Sequence, residues 1–500
     1  MTVTDLNCEY LGLSRLCLME SAGKSLAEEV GKIAVYTFSK PVKIIIFTGS
    51  GGNGGDGFVA ARYLLNRGYD VDIYMLKDKN GIHSLEAKTN YEILENMKPR
   101  FSRLTVHNLN TIDDINNCEV ANSDSFSEFI IIDGILGTGI HGKLRENIKR
   151  AIEVINSSNG LTVSVDVPLT GQIHDVAVKP QYTVSFHKVK TGIHKAGEEK
   201  VGGIVTCDIG IPIEAEYFIN YGDMIKLNKR SLKSHKGNNG KVLIVGGSKE
   251  YSGAPSIAGL AAIGAGADLI YVAAPESAAL AISTHPDLIV NSLKGDYLTA
   301  EHAEEILMMA DKADAVLLGP GAGINDETGK LLNILASKIK KPLVLDADAL
   351  KQVKPQIIKN RDDVILTPHI FEFKSFFGKD IKLDLDSYDF AEVDENISEF
   401  QQVVRQINGA VVVKGAIDLV IQKNKFKLNK SGNPGMTVGG TGDALAGIAV
   451  SLLSKGLNAF DAATLAIFIN GLAGDEAYLE KGYGFGATDV VAHIGKVIKG

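Results

Sequence analysis

Short runs of β-branched and other apolar residues alternate along the whole chain with longer segments that have helical spacing. Six such runs lie at residues 42–47, 129–132, 161–165, 241–245, 315–318 and 411–413. Their hydrophobicity is continuous rather than alternating, which indicates burial on both faces and therefore mainly parallel sheets covered by helices. The pattern predicts an α/β fold.

The chain is too long for a single hydrophobic core to be the natural arrangement, since it has 500 residues. Between residues 213 and 239 the alternation lapses into a polar, basic stretch, and a new strand pattern starts at Lys241. We therefore predict two α/β domains, with a boundary between residues 225 and 226. The first, residues 1–225, is predicted to be a Rossmann-like three-layer α/β/α domain, and residues 226–500 form the second.

Charge and hydropathy exclude two classes of partner. A net charge of -8 and a pI near 5.8 argue against the basic surface that nucleic-acid binding requires. The longest apolar helical stretch, residues 444–453, is shorter than the roughly 20 residues that span a bilayer, so no membrane segment is expected. Residues 1–10 lack the pattern of a secretory signal, and the four cysteines have no CxxC spacing, so we expect a cytoplasmic protein with reduced thiols.

A glycine-rich loop, TGSGGNGGDGF, occupies residues 48–58 after the first strand, and a helix is predicted over residues 59–65. A strand, a glycine loop and a helix start together form an anion cradle, because backbone N–H groups and the helix dipole face the ligand. The spacing matches neither a Walker A loop nor a GxGxxG dinucleotide fingerprint. A tight turn that serves only helix packing is the alternative interpretation.

Two aspartates, Asp133 and Asp166, also follow predicted strands. The carboxyl ends of parallel strands converge on one crevice, so both could face the same ligand as Asn53 and Asp56. Either aspartate taken alone is equally explained as a helix cap or a turn residue.

Together with LMESAG at residues 18–23, TVSFHK at 183–188 and DIGIP at 208–212, these segments resemble the NAD(P)H-hydrate epimerase family. The resemblance implies that Asp166 contacts the reacting ring and is catalytic, and that a potassium ion is held by Asn53, Asp133 and Leu169. It also implies a binding site for the hydrated dinucleotide. That site comprises Gly52, Asn53, Gly54, Gly55, Asp56, Gly137, Thr138, Gly139, Ile140, His141, Gly142, Lys143 and Asp166.

Two positions depart from the family pattern. Gly52 stands where the loop usually has asparagine, and Leu169 stands where serine is usual. If the serine supplies only a backbone carbonyl, leucine can replace it, whereas loss of a required hydroxyl would weaken ion binding or epimerisation. A non-catalytic binding module is the alternative for this half, although a scaffold has no need of clustered carboxylates at strand ends.

In the second half, polar segments again follow predicted strands. They lie at residues 246–248, 319–323, 345–350, 366–372 and 413–416. The strongest is GMTVGGTGDALAG at residues 435–447, where glycines precede an aspartate that opens an apolar helix. The N–H groups of residues 440–443 can form an anion hole, and Asp443 is placed to deprotonate an attacking hydroxyl. An N-capping role explains Asp443 but not the glycines around it.

This set resembles the ribokinase-like superfamily and, within it, the NAD(P)H-hydrate dehydratases, which predicts a ribokinase-like α/β/α domain over residues 226–500. The resemblance implies ADP as co-substrate, Mg²⁺ on its phosphates and Asp443 as catalytic base. The adenine nucleotide would lie against Lys414, Gly415, Ala416, Ile417, Asp418 and Gly442. The hydrated dinucleotide would approach Ala254, Gly323, His369 and Asp443. A structural role is the alternative for His369 taken alone.

Phe371, where the family usually has glycine, is expected to narrow the pocket or to shift Glu372, and Thr437 replaces a common alanine. The order epimerase then dehydratase makes chemical sense, because the epimerase supplies the stereoisomer that the dehydratase accepts. The resemblance also implies a homo-oligomer that takes NADHX or NADPHX as substrate. A vitamin-precursor kinase of the same fold is the alternative function, and it leaves the first domain unexplained.

Overall fold

The computed structural model describes residues 2–97, 103–123, 128–137, 143–167, 177–190, 193, 197–227, 230–382, 384–385 and 390–499. These residues form two compact units. One comprises Cys8–Pro212, and the other joins Met1–Asn7 to Ile213–Gly500.

The first unit is built on a seven-stranded sheet in which every strand pairing is parallel, in the order β3-β2-β1-β4-β5-β6-β7. The strands are β1 Lys43–Thr48, β2 Val71–Met75, β3 Leu104–Asn108, β4 Phe129–Gly134, β5 Leu161–Val165, β6 Tyr182–Phe186 and β7 Gly203–Cys207. The order turns back between β1 and β4, and in open parallel sheets ligands bind at the carboxyl ends of the strands beside such a point.

Helices connect these strands in the manner that parallel pairing requires. The helices described up to Pro212 are Thr2–Tyr10, Arg15–Thr37, Gly52–Asn66, Leu85–Met97, Ile112–Asn116, Glu146–Ser157 and Glu198–Val201, with 3₁₀ turns Lys79–Gly81 and Val120–Asn122. The helix Arg15–Thr37 packs on Gly52–Asn66, which packs in turn on Leu85–Met97.

The second unit is built on a nine-stranded sheet in the order β10-β9-β8-β11-β12-β13-β14-β15-β16. Its strands are β8 Lys241–Val245, β9 Leu269–Pro275, β10 Leu288–Leu293, β11 Ala315–Leu318, β12 Leu343–Leu345, β13 Val364–Leu366, β14 Ala410–Val413, β15 Asp418–Gln422 and β16 Lys425–Asn429. Pairing is parallel from β10 to β14 and antiparallel for β15 and β16. The sequence pattern did not predict this antiparallel edge.

Both faces of this sheet are buried. Val242 and Ile244 of β8 belong to one hydrophobic core, while Leu243 and Val245 belong to a second core on the other face. The helices of this unit are Ile213–Tyr217, Gly253–Gly264, Glu276–Ile282, Ala303–Lys312, Asp326–Lys338, Asp348–Gln352, Pro355–Ile358, Ile370–Phe377, Phe390–Val404, Thr441–Ser454, Ala459–Lys481 and Ala487–Lys499. The 3₁₀ turns are Tyr221–Lys226, Ala300–His302, Pro434–Thr437 and Gly482–Gly484.

Asn7 is fully buried within the second unit, although it lies near the start of the chain. Its Nδ2 donates to the Ala215 carbonyl and to Asp223 Oδ2, both at 3.1 Å, and its Oδ1 accepts the Gly222 N–H at 2.9 Å. Asp223 also forms an ion pair with Lys427, with Nζ 3.4 Å from Oδ1. These contacts attach an early segment of the chain to the second unit.

The predicted two-domain α/β fold is confirmed. The two compact units divide between Pro212 and Ile213. The sequence predicts the domain boundary between residues 225 and 226, and that boundary stays a prediction. Among the described residues, no helix combines the length and the hydropathy needed to cross a bilayer.

Candidate active sites

The first site lies where β1 ends. The helix that follows was predicted from residue 59 but begins at Gly52, so Asn53 and Asp56 lie in its first turns rather than in a loop. Close packing explains the difference. A Cβ on Gly54 would lie 2.4 Å from the Gly49 carbonyl oxygen, and one on Gly55 would lie 2.5 Å from Met19 Cε. Tertiary contact therefore outweighs the low helix propensity of glycine here.

The start of this helix has backbone N–H groups outside the helical hydrogen-bond pattern, and its role as an anion cradle stays a prediction. The first helical hydrogen bond runs from the Gly55 N–H to the Gly51 carbonyl, so the N–H groups of residues 52–54 precede it. A Cβ on Gly52 would meet nothing within 4 Å. The packing interpretation thus applies to Gly54 and Gly55, whereas the space at Gly52 remains open to a ligand.

Asn53 joins the ends of two neighbouring strands. Its Nδ2 donates to the Leu136 carbonyl at 3.0 Å and to the Val165 carbonyl at 2.7 Å. A Cβ on Gly137 would lie 2.7 Å from Asn53 Oδ1, so a side chain there would force the Asn53 amide to shift.

Asp133 lies near the end of β4 and is almost fully buried, with 4% of its surface exposed. It accepts hydrogen bonds from the Ser164 hydroxyl at 2.8 Å and from the Ile135 N–H at 3.2 Å. Burial raises the pKa of its carboxyl group to about 6. Carboxylate, amide and carbonyl oxygens thus gather at the ends of β4 and β5, and oxygen ligands of this kind suit hard cations.

A lysine that the sequence interpretation missed, Lys190, lies against Asp166. Lys190 forms an ion pair with Asp166 and donates to the Phe186 carbonyl at 2.7 Å. Asp166, in a left-handed conformation with φ 60°, also accepts the Phe186 N–H at 3.1 Å. Burial raises the pKa of Asp56 well above its usual value, the charge of Asp166 adds to that rise, and Lys190 opposes it.

Asp56, Asp166 and Lys190 therefore form one electrostatic cluster at the strand ends. Lys190 lies two residues beyond the motif at residues 183–188. The available signal was a basic residue shortly after a strand whose neighbouring strand ends at an aspartate. Lys143, another predicted substrate contact, is exposed. Predicted residues Thr138, Gly139, Ile140, His141, Gly142 and Leu169 lie outside the described residues.

The LMESAG motif packs one helix onto another. Glu20 accepts a hydrogen bond from Arg62 at 2.6 Å and from the Tyr63 hydroxyl at 2.8 Å. A Cβ on Gly23 would lie 2.4 Å from Val59 Cβ. The motif thus fixes the helix that carries Asn53 and Asp56.

The second site lies at the carboxyl ends of β8, β11 and β12. A Cβ on Gly246 would lie 2.2 Å from the Pro320 carbonyl oxygen, and one on Gly319 would lie 2.1 Å from the Asp346 carbonyl oxygen. Ala254 lies beside the same turns, with its Cβ 3.3 Å from the Cβ position of Gly321. Glycine at these turns lets three loops meet without side chains between them.

Asp443 lies at the third position of the helix Thr441–Ser454. The N-cap is Gly440, with φ 95°, so a capping role does not account for the aspartate. The first helical hydrogen bond runs from the Ala444 N–H to the Gly440 carbonyl, and the preceding N–H groups are directed towards the helix start. Burial raises the pKa of Asp443 to about 7; Asp346 and Asp348 raise it too, and Lys414 opposes them.

These neighbouring charges are held by specific contacts. Asp346 accepts the Thr367 hydroxyl at 2.7 Å and lies 3.6 Å from Lys414 Nζ. Asp348 accepts the Gly323 N–H at 3.0 Å and pairs with Lys351 at 3.1 Å. The structure thus brings Gly323, Lys414 and Asp443 together, as expected, and adds Asp346, Asp348 and Lys351.

Ala347 separates the two aspartates and has φ 49° and ψ -117°. Such a conformation is rare for a residue with a Cβ and costs on the order of 1–3 kcal/mol. The neighbouring contacts impose it, and it turns both flanking carboxylates towards the site.

His369 caps the helix Ile370–Phe377. Its Nδ1 accepts the N–H groups of Phe371 and Glu372, both at 3.2 Å, and Glu372 Oε2 accepts the His369 N–H at 3.1 Å. The Phe371 side chain is 73% exposed. The reciprocal cap between His369 and Glu372 is formed with Phe371 present, and the expectation that this ring narrows the pocket or shifts Glu372 stays a prediction.

A cleft of about 460 Å³ adjoins Lys414 and Gly442. Of the predicted nucleotide residues it is lined by Lys414, Gly415, Ala416, Asp418 and Gly442, whereas Ile417 lines a different cleft. Burial raises the pKa of Asp418 to about 6, while it accepts the Gly415 N–H at 3.0 Å. This volume suits a nucleotide-sized ligand.

A second residue missed by the sequence interpretation, Asn470, also lines this cleft. Its side chain is 4% exposed, and Nδ2 donates to the Thr441 carbonyl at 3.3 Å. Among the residues that the structure describes, none donates a hydrogen bond to its buried Oδ1. A buried acceptor in that state is costly, so a ligand donor at this point would be favoured.

The described residues contain no group of three or more His, Cys, Asp and Glu side chains arranged to hold a metal ion. A divalent ion held through one or two carboxylates and substrate phosphates needs no such group.

Two known families match different parts of the chain. Residues 15–192 match the family described as YjeF-related protein N-terminus, and residues 242–496 match the family described as NAD(P)H-hydrate dehydratase. The two matches fall on opposite sides of residue 212 and cover both sites.

Several curated proteins named bifunctional NAD(P)H-hydrate repair enzyme align along the whole chain. The one from Methanothermobacter thermautotrophicus is 45% identical and covers 100% of this chain and 94% of its own length. The one from Hyperthermus butylicus is 39% identical, and the alignment covers 99% of this chain and 90% of the relative. The one from Methanocaldococcus jannaschii is 37% identical, and the alignment covers 100% of this chain and 92% of the relative. A solved ADP/ATP-dependent NAD(P)H-hydrate dehydratase from Bacillus subtilis is 22% identical over 57% of this chain and 98% of its own, with a TM-score of 0.45.

Proposed function

The chain belongs to the family of bifunctional NAD(P)H-hydrate repair enzymes, and from that premise we propose that it restores hydrated nicotinamide cofactors in two steps. The first unit interconverts R- and S-NAD(P)HX, and the second dehydrates S-NAD(P)HX with ADP, giving NAD(P)H, AMP and phosphate. The observation that carries this proposal is Asp443, a carboxyl group with a pKa of about 7 at the start of a helix beside Lys414 and a nucleotide-sized cleft.

Dehydration starts with proton transfer to Asp443. A carboxylate with a pKa near 7 can accept the hydroxyl proton of the hydrate at neutral pH, and the freed oxygen attacks the β-phosphorus of ADP. The bond from that phosphorus to the bridging oxygen breaks, and AMP leaves. Lys414 and the N–H groups at the helix start stabilise the charge on the transferred phosphoryl group.

The phosphorylated hydrate then loses phosphate. The ring nitrogen lone pair forms the C=N bond as the C–O bond to phosphate breaks, and loss of the neighbouring ring proton gives the dihydronicotinamide. Ala254, Gly323 and His369 are proposed to hold the hydrate. Lys414, Gly415, Ala416, Ile417, Asp418 and Gly442 are proposed to hold ADP.

Epimerisation inverts the carbon that bears both the hydroxyl and the ring nitrogen. It needs a group that takes the hydroxyl proton while the C–N bond breaks, the carbonyl forms and the nitrogen gains the bond electrons and a proton, and that returns a proton when the nitrogen closes on the other face of the carbonyl. We assign Asp166 to this role, with Lys190 as its ion-pair partner. Because Asp56 is buried beside them with a raised pKa, it can carry the proton between turnovers. The helix start at Gly52–Asp56 is proposed to bind the pyrophosphate of the dinucleotide, together with residues 137–143.

Two cations complete the proposal. The oxygens of Asn53 and Asp133 and the carbonyl of Leu169 would hold K⁺, which would fix the strand ends around the substrate. Asp346, whose carboxylate lies 3.6 Å from Lys414 Nζ, would be available to hold Mg²⁺, which would neutralise the phosphates of ADP. A homo-oligomer and a cytoplasmic location stay predictions.

One assay tests both halves. The purified chain is incubated with mixed-epimer NADHX, Mg²⁺, K⁺ and either ADP or ATP, and NADH is followed by absorbance. We expect ADP-dependent conversion of all the hydrate, at a rate above spontaneous epimerisation. Asp166→Ala is the matched control, and it should stall after the S-epimer is consumed.

The two alternatives predict different results. If Asp166→Ala and the unsubstituted chain stall at the same point, the first unit is a binding module and not an epimerase. If no NADH forms with either nucleotide, the dehydratase assignment fails, and a stable phosphorylated product from a vitamin precursor would identify the kinase.

A further inference from the structure

Phe371 presents an aromatic ring to solvent in a segment whose other rings are buried. Its side chain is 73% exposed, whereas Phe373, Phe376 and Phe377 of the same helix are buried in the core. Its ring lies edge-on to His369, with centroids 5.9 Å apart. Helix packing does not account for the Phe371 ring.

The exposed ring borders a cleft of about 310 Å³. The cleft is lined by Ile370, Phe371, Lys374, Lys382, Leu385 and Ile417, together with residues 414–416. The same residues 414–416 line the larger cleft proposed for ADP. Two clefts therefore share one wall next to Lys414.

The proposed reaction needs two adenine-bearing molecules at once, because ADP and the hydrated dinucleotide each carry one adenine. In the proposed function the larger cleft binds the adenine of ADP. The hydrated nicotinamide ring of the dinucleotide must lie next to Asp443. The adenine of the dinucleotide still needs a binding surface. Purine rings stack on exposed aromatic side chains, and each such stack contributes about 1–3 kcal/mol.

On these grounds we propose that Phe371 is a stacking platform for the adenine ring of the hydrated dinucleotide, in a second base site on the far side of residues 414–416 from ADP. This inference rests on the proposed function. Lys374 and Lys382 form exposed ion pairs with Asp380 and Asp384 at 2.5 and 2.9 Å. Stacking on Phe371 involves only the adenine ring, which NADHX and NADPHX share, so we expect both substrates to depend on Phe371 equally.

The chain has no tryptophan, so Phe371→Trp creates a single fluorescent reporter. We expect NADHX alone to quench its emission with saturation and ADP alone to leave it unchanged. Tyr36→Trp, at an exposed position in the other unit, is the control for absorption by the ligand and should show neither effect. Equal quenching of both reporters by NADHX, no quenching of Phe371→Trp, or quenching of it by ADP would each overturn the proposal.

Kinetics provide the second test. Phe371→Ala should raise the KM for NADHX and for NADPHX by about tenfold, with the KM for ADP and kcat within about twofold of the unsubstituted values. Phe371→Tyr keeps the ring and should restore the KM. A Phe371→Ala enzyme with an unchanged KM for hydrate overturns the stacking role while leaving the dehydratase intact, whereas an inactive unsubstituted chain contradicts the proposed function itself.

Discussion

In the proposed mechanism dehydration depends on Asp443, and the ionisation of this residue would set a pH profile. As a base it must be deprotonated, so kcat/KM for the hydrate should rise with pH through an apparent pKa of about 7. Asp443→Asn should abolish NADH formation at every pH. A profile that stays flat between about pH 5 and 8 would contradict the assignment of Asp443 as base.

The same group makes a prediction about folding. Because its pKa is raised in the folded protein, the native state binds its proton more tightly than the unfolded state, and this contribution to stability falls as pH rises through about 7. Asp443→Asn should therefore raise the free energy of unfolding by about 1–3 kcal/mol near pH 8 and change it little near pH 4. Thermal unfolding at both pH values measures the difference.

For Asn470 we predict that a substitution weakens ADP binding without lowering the stability of the fold. Asn470→Leu removes the unpartnered Oδ1 and the hydrogen bond to Thr441, and we expect ADP to bind about two- to tenfold more weakly. Calorimetric titration with ADP measures the affinity. The KM for hydrate should stay unchanged, and the melting temperature should not fall. A lower melting temperature with unchanged ADP affinity would show that Asn470 has a purely structural role.

At the residue scale, the sequence predicts site residues that follow strands or glycine-rich segments. It does not predict residues that reach a site only through tertiary contacts. Asp166 and Asp443 could be identified because strand ends and glycine-rich segments mark their positions. Asn470 lies inside the apolar helix Ala459–Lys481, where nothing local distinguishes it from a buried polar residue. Lys190 gains its significance only from an aspartate on the neighbouring strand.

Among the elements, the turn between β12 and the helix Asp348–Gln352 has a strained backbone at Ala347. Ala347→Gly should relieve backbone strain at φ 49° and stabilise the fold by about 1 kcal/mol, while looser positions of Asp346 and Asp348 lower kcat several-fold. Ala347→Val should destabilise instead. Unfolding and kcat measured on both variants check this, and the same direction of change in stability for both would argue against strain.

The helix start after β1 offers a matched pair of glycines. Gly52→Asn places a side chain in open space, so we expect an unchanged melting temperature and epimerase activity that is retained or increased. Gly54→Asn would force a Cβ to within 2.4 Å of the Gly49 carbonyl and should destabilise the first unit by more than about 2 kcal/mol. Equal melting temperatures for the two variants would contradict the packing argument.

That helix also shows where pattern-based prediction stops. Strands β5, β8 and β11 match their predicted bounds, because continuous apolar runs bounded by turn residues are a local signal. The helix Gly52–Asn66 starts seven residues early because its glycines are selected by contacts with Gly49 and Met19, and distant contacts of that kind leave no periodicity in the sequence.

At the scale of the whole molecule, residues 1–7 and 213–225 belong to the second unit, and their contacts contribute to its stability. Asn7→Ala should remove three buried hydrogen bonds and leave Asp223 with less compensation, which we expect to lower the stability of the second unit by about 2–3 kcal/mol. Scanning calorimetry should show a lower transition for that unit alone. Thr2→Ala, at an exposed position of the same helix, is the control and should have no effect.

Asn7 also imposes an order on biosynthesis. It lies 216 positions ahead of Asp223 in the chain, which at about 5–20 residues per second corresponds to roughly 10–40 s of translation. During that interval residues 8–212 can fold once they have left the ribosome. Residues 1–7 must stay accessible until residues 215–223, which they contact, have been synthesised. A chaperone or a fused peptide that captured this segment early would leave the epimerase intact and delay the dehydratase.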